Sequence, residues 1–381
     1  MRNKIIHGMG KYLVVLGLTI AIILFYKSVE RTPLLADDNT EFARAVVTET
    51  SGENLPAVDG EGDSQEVTLL IKSGRHKGES VEGYSLNGYL YGADCKKGTK
   101  VIVKLSEYGD SVSASVYNYD RENEIAILLA LFLGLMWFVG GKRGFNAVIA
   151  LVFTVVVIMM LYIPMMYLGW SPFLAAVISV ILITVVTHVL IADFKVKSIS
   201  AMLGTIGGVV VAGLIALVFG KAAHITGYNV DDIENLVYVA QNSKLSISGM
   251  LFSGIIISSL GAVMDVGMSI SSSLNEIYQK NPEISGRELF HTGIVIGRDM
   301  ISTMSNTLIL AYVGGSINLL MIVYAYSYQM HQILNMYSLA IEIMRGIAGT
   351  IGIILTVPIT SLIMSVLLTR GGQKISTDKC K

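Results

Sequence analysis

The chain has 381 residues, 52% hydrophobic and only 15% charged, with a mean hydropathy of +0.61. Soluble domains carry about 25% charged residues, so this composition argues against a soluble globular protein and for a multispanning membrane protein. The net charge of -1 is unevenly spread: residues 27–124 hold 18 acidic against 11 basic side chains, and the remainder 11 acidic against 17 basic. Such a split suggests an acidic domain outside the lipid, joined to a membrane part with basic loops.

Residues 1–27 come first. An apolar run over 12–26 follows Arg2, Lys4 and Lys11, and no small-x-small cleavage site closes it, because Phe25, Tyr26 and Lys27 follow. This reads as an uncleaved signal anchor with its N-terminus inside. Residues 28–123 alternate hydrophobic and polar positions in short runs. Candidate strands are 42–49, 66–72, 79–86, 100–106 and 111–117, with turn signals at Ser73-Gly74, Leu86-Asn87-Gly88 and Lys97-Gly98. Five short strands suit a small all-β barrel of OB or SH3-like type. Because this domain is acidic and outside, nucleic acid is not expected as a partner. It reads as a docking or gating module, open to a partner protein, or as a module with its own small ligand.

Residues 124–370 supply seven further candidate spans: 125–139, 145–165, 173–191, 199–219, 247–271, 289–312 and 344–369. Most approach the ~20 residues that a bilayer requires. Lys142/Arg143, Lys195/Lys197, Lys280/Arg287 and the basic tail at 371–381 fall in alternate loops, on the side of Arg2 and Lys4. The positive-inside rule then gives about eight transmembrane helices, both termini cytoplasmic and residues 28–123 extracytoplasmic. Cys95 and Cys380 fall on opposite sides, so no internal disulfide is expected. Tyr162, Tyr167, Trp170, Tyr324, Tyr326, Tyr328 and Tyr337 collect near the outer boundary as an interfacial belt. The apolar stretch 316–328 follows Gly314-Gly315 and reads as a half-helix or tilted interfacial helix. A full crossing there would put the basic tail outside.

Small residues form stripes at helical spacing: Gly204, Gly208, Ala212, Ala216 and Gly220; then Gly254, Ser258 and Ala262; then Gly293 and Gly297. All three read as tight helix packing. Pro358 frees a carbonyl that Thr356, Thr360 or Ser361 is placed to satisfy. Gly204-Thr205-Ile206-Gly207 recurs as Gly349-Thr350-Ile351-Gly352. Running in opposite directions, the two copies suggest an inverted 3+3 repeat.

The dozen residues from Gly297 to Leu308 place charge, an amide and hydroxyls within apolar flanks. A charge in hydrocarbon costs about 2.5–3.5 kcal/mol on insertion scales, so such residues tend to face a bundle interior or wet cavity. Ser285 and Glu288 have capping-box spacing and predict a helix start. Arg298, Ser302, Ser305 and Asn306 then share one face, with Asp299 beside it. That stripe is expected to meet Asp265 from the preceding span. Glu342 and Arg345, three apart, are placed to pair. The functional reading makes Asp265, Arg298, Asp299, Ser302, Ser305, Asn306, Glu342 and Arg345 a substrate or ion pathway. The bland reading is an ion-pair network that fixes packing. His188, His224 and His291 read as structural. No His-Glu-x-x-His zinc pair and no Gly-x-Ser-x-Gly elbow is present, so neither a metal, a cofactor nor an enzyme activity is expected.

Gly297-Arg298-Asp299, Thr303-Met304-Ser305-Asn306-Thr307-Leu308 and Ala311-Tyr312 carry a specific resemblance. So do Gly261-Ala262-Val263-Met264-Asp265-Val266, Asn281-Pro282-Glu283, Arg287-Glu288-Leu289-Phe290, and Glu342, Arg345 and Gly349. Through them the chain resembles the YibE/F family of bacterial multispanning membrane proteins over nearly its whole length. The resemblance implies a bacterial plasma-membrane location and little about activity. A transporter of an ion or small polar solute is the leading expectation. A receptor or scaffold is the alternative, and an intramembrane enzyme the weakest reading.

Overall fold

The computed structural model describes residues 2–31, 39–51, 64–86, 92–108, 111–192, 195–228, 230 and 233–378. The chain divides into two compact units, Pro33–Leu135 and Met1–Thr32 with Met136–Lys381.

The first unit is a closed barrel of β1 (Thr40–Ser51), β2 (Ser64–Ile71), β3 (Ser80–Leu86), β4 (Lys100–Tyr108) and β5 (Ser111–Tyr119). Its order, β1-β2-β3-β5-β4 with β3 and β5 parallel, is an OB-type Greek key. Period-two alternation turns Ala43, Ala45 and Val47, then Val67, Leu69 and Ile71, then Val101, Val103 and Leu105 into one core. Each expected strand is present within two residues of its bounds. Of the turn signals, Gly74 and Gly98 have φ of 84° and 91°, whereas Asn87 and Gly88 lie outside the described residues. Gly83 is required where β3 meets β5: a Cβ there would stand 2.3 Å from the Ala114 carbonyl oxygen.

Cys95 is a free, buried thiol, pushed up from its usual pKa by burial. Gln65 fixes its backbone from both sides, accepting from the Cys95 N–H (3.0 Å) and donating to its carbonyl (2.9 Å). Cys380 lies outside the described residues.

His76 sits between two carboxylates, with Nε2 3.0 Å from Glu107 and Nδ1 2.8 Å from Glu79. These hydrogen bonds, Glu107's first, raise its pKa above 6.5. The protonated form therefore favours the folded barrel. That contribution is complete below about pH 6.5 and is lost as pH rises through the higher folded value. Hydrogen exchange on the full chain should show strands near His76 loosening over that rise. His76→Gln should flatten the dependence; an unchanged profile would contradict the pairing.

In the second unit α1 (Arg2–Ser28) is tied to its neighbours by polar contacts. Tyr12 donates to Asn146 Oδ1 (2.6 Å), while Lys11 and Asn146 both donate to the Leu190 carbonyl. Helix α2 (Glu122–Val157) is broken at Gly141, with φ 55° and ψ -133°. A Cβ on Gly144 would lie 2.1 Å from the Met136 carbonyl, so the chain folds back there. This separates the expected segments 125–139 and 145–165 beside Lys142 and Arg143. A π-helical turn (Ile158–Tyr162) and α3 (Ile163–Tyr167) continue the second segment. The turn carries Tyr162 inward, where its hydroxyl meets Ser253 at 2.6 Å. Tyr162 is thus a buried core residue and not part of the expected aromatic belt.

There follow α4 (Pro172–Ala192), α5 (Val196–Ala222), α6 (Ile233–Gln241), α7 (Ile247–Lys280), α8 (Gly286–Gly315), α9 (Ile317–Ala325), α10 (Met330–Leu334) and α11 (Tyr337–Asp378). Among the described residues six helical runs are long and apolar enough to cross a membrane; one of them, Glu122–Tyr167, contains the break. Helices α8 and α9 qualify only as a pair, bent by 62°, so the expected span 289–312, whose stretch carries the polar dozen residues, does not qualify by itself. That bend agrees with the half-helix expected after Gly314-Gly315.

The small-residue rows set the packing. Gly204 lies against Thr360, and Gly208 against Thr356 and the Gly352 carbonyl, so α5 and α11 cross antiparallel with backbones in contact. The two Gly-Thr-Ile-Gly copies come together near this crossing. Gly293 and Gly297 likewise seat Ser361 and Val357 of α11 against α8. The second stripe behaves differently. Gly254 and Ser258 are exposed on α7, and a Cβ on Gly254 would meet nothing within 4 Å. Gly254 therefore packs no helix of this chain, contrary to expectation, while Ser258 accepts a hydrogen bond from Tyr312 of α8 and Ala262 lies against the core. At Pro358, Thr356 donates to Gly352 (2.7 Å), while the hydroxyls of Thr360 and Ser361 are buried without partners. Neither satisfies the freed carbonyl.

Candidate functional site: a polar helix face and a cavity

Helix α8 begins as its sequence dictates. Ser285 accepts from the Glu288 N–H at 3.2 Å, and Arg298 lies about 18 Å further along the helix. Its apolar and glycine row packs inward: Leu289, Gly293 and Gly297 are buried, and Met300, Met304 and Leu308 lie against the core. The opposite side carries Arg298, Asp299, Ser302, Thr303, Asn306 and Thr307, all exposed. Within that row Thr303 and Thr307 return their hydroxyls to carbonyls one turn earlier. Ser305 lies at the edge, its hydroxyl buried and unpartnered.

Asp265 is exposed on α7, on the side away from Val263 and Gly267, which face α5 and α11. Tyr312 donates to Ser258 at 2.8 Å and so fixes the register of α7 against antiparallel α8. Counting seven residues, about 10 Å, from that contact puts Asp265 level with Ser305. Both stand near the middle of their helices. No hydrogen bond or ion pair joins Asp265 to Arg298, Ser302, Ser305 or Asn306, and among the described residues the side chains of Asp265, Arg298 and Asp299 have no polar partner. The expected meeting is therefore absent. Arg298 and Asp299 lie about 9–10 Å from that level along α8, and all three charges open outward.

Glu342 and Arg345 do pair, at 2.5 Å, and both are partly buried. They line a cavity of about 520 Å³ with Ser316, Asn318, Ser338 and Val230. A smaller apolar cavity of about 260 Å³, bordered by Tyr312 and Ile347, shares Ser316 and Glu342 with it. The bend between α8 and α9 makes these spaces. Asn318 and Ser338 were not singled out from sequence, because short segments around a bend show no periodicity. His188 is fully buried, with Nδ1 2.8 Å from the Thr184 carbonyl and Nε2 without a partner; His224 and His291 are exposed. Among the described residues no three His, Cys, Asp or Glu side chains are grouped to hold a metal.

A bundle of long apolar helices with polar groups at mid-helix, and a small β barrel in the same chain, is consistent with a multi-pass membrane protein. The family model described as YibE/F-like protein matches residues 128–370. The chain belongs to the YibE/F family, on the strength of the helical bundle; the match includes neither α1 nor the barrel. No curated protein and no solved structure matches it.

Proposed function

We propose that this protein is a permease for an ion or small polar solute, in a bacterial plasma membrane. Both termini are cytoplasmic and the barrel is extracytoplasmic, following the basic loops. The solute path follows the polar side of α7 and α8 and leaves through the Glu342–Arg345 cavity. One observation carries this reading: the carboxylate of Asp265 stands exposed and unpaired midway along α7. A group whose only task is to fix packing would have its partner. Charge without a partner, at that depth, persists where it is used. Nothing in this reading calls for catalysis, a cofactor or a metal.

The alternative is a receptor or scaffold. It is favoured by a surface groove of about 620 Å³ on the barrel, lined by Glu49, Glu66 and Glu82 with Tyr84. A cationic ligand or basic protein segment would suit it.

Purified chain in liposomes decides between them. It should dissipate a gradient of at least one of protons, sodium, potassium or phosphate faster than protein-free vesicles. Leakage equal to empty vesicles for every solute offered would favour the receptor.

A further inference from the structure

We infer that the polar face of α8 is covered by the α8 of a second copy of this chain, so that the functional unit is a two-fold dimer. This rests on reading α7 and α8 as membrane-embedded, and holds whether or not the protein transports. Lipid cannot cover this face. Arg298 and Asp299, with Ser302 and Asn306, point away from the bundle, and each charge left in hydrocarbon costs about 2.5–3.5 kcal/mol.

The face is self-complementary in the way a two-fold axis requires. In an axis running along the membrane normal, equal residues of the two copies lie at equal depth. Adjacent residues on a helix differ in depth by only about 1.5 Å. Arg298 of each copy therefore meets the partner's Asp299, twice over. About 12 Å further along the helix, Asn306 meets its own equivalent, and an amide both donates and accepts. Interhelical bonds of this type hold membrane helices together. The neighbouring surface of α7 is open at Gly254 and Gly261, where a Cβ would meet nothing within 4 Å. A solute path along α8 would then lie between the subunits, and a single chain would hold half of it.

Native mass spectrometry of the full chain should give two subunits. Arg298→Asp or Asp299→Arg alone should lower the dimer share about tenfold, and the two together should restore it. In a Cys380→Ser background, Asn306→Cys should form a disulfide-linked dimer in native membranes under copper-phenanthroline. Leu214→Cys, on the exposed side of α5, should not. Three results overturn the inference: a monomer, a dimer indifferent to both charge reversals, or Asn306→Cys linking only to a different protein. None of these readouts involves flux, so failure of the dimer and failure of transport are separate outcomes.

Discussion

Replacing Gly208 with alanine should leave little assembled protein. A Cβ at this position would lie 1.8 Å from Thr356 Oγ1 and 2.9 Å from the Gly352 carbonyl oxygen. Thr356 has no freedom to yield, because it is fully buried and its hydroxyl is committed to Gly352. The carbonyl is backbone, so relief requires α5 and α11 to separate at their crossing. Overpacking costs roughly 1–3 kcal/mol or more, and separation would also open the contacts at Gly204 and Ala212. The expected result is a large loss of monodisperse protein after detergent extraction, with a lower unfolding temperature. Gly261→Ala is the control, since that site is open, and should behave as wild type. Equal behaviour of the two variants would show that α5 and α11 do not pack backbone to backbone.

Asp265→Asn should separate stability from activity. A packing role predicts destabilisation on removing the charge; a pathway role predicts none. Asp265 has no partner to lose, so asparagine breaks no hydrogen bond or ion pair. The variant should unfold at the same temperature as wild type. Its flux in liposomes should fall at least about tenfold, the factor that 1.4 kcal/mol represents. Glu342→Gln should differ: it strands Arg345, a partly buried guanidinium whose partner is Glu342, and should lower stability as well as flux. Full flux in Asp265→Asn would remove this residue from the pathway.

These contrasts show where the sequence was informative. In the barrel, period-two alternation located all five strands, since one face meets a core and the other meets water. Strand order was less legible: the parallel β3–β5 pair depends on Gly83, whose role appears only once Ala114 lies opposite. In the bundle, helix positions, the Ser285 cap and the Glu342–Arg345 pair were readable because each is local. Facing was not. Lipid and helix neighbours are equally apolar, so Gly204 and Gly254, each opening a small-residue row, look alike in sequence although one is buried and the other open. The polar stripe on α8 was legible as a stripe for the same local reason. Its outward direction was not, because that depends on which side α11 occupies. Tyr162 was misplaced by its nearness to the helix end, where a π turn rotates it inward.

The central claim is that the polar side of α8 is wet although it lies midway along a membrane helix. Its most direct test is reaction of Ser302→Cys, with Cys380→Ser, in sealed vesicles with a membrane-impermeant maleimide. Cys95 is buried in the barrel core and should stay silent. Leu214→Cys, 48% exposed on α5, reports a lipid-facing position. The expected result is labelling of Ser302→Cys from at least one side of the membrane and none of Leu214→Cys. Labelling of neither would mean that the α8 face is dry, and would contradict a solute pathway there.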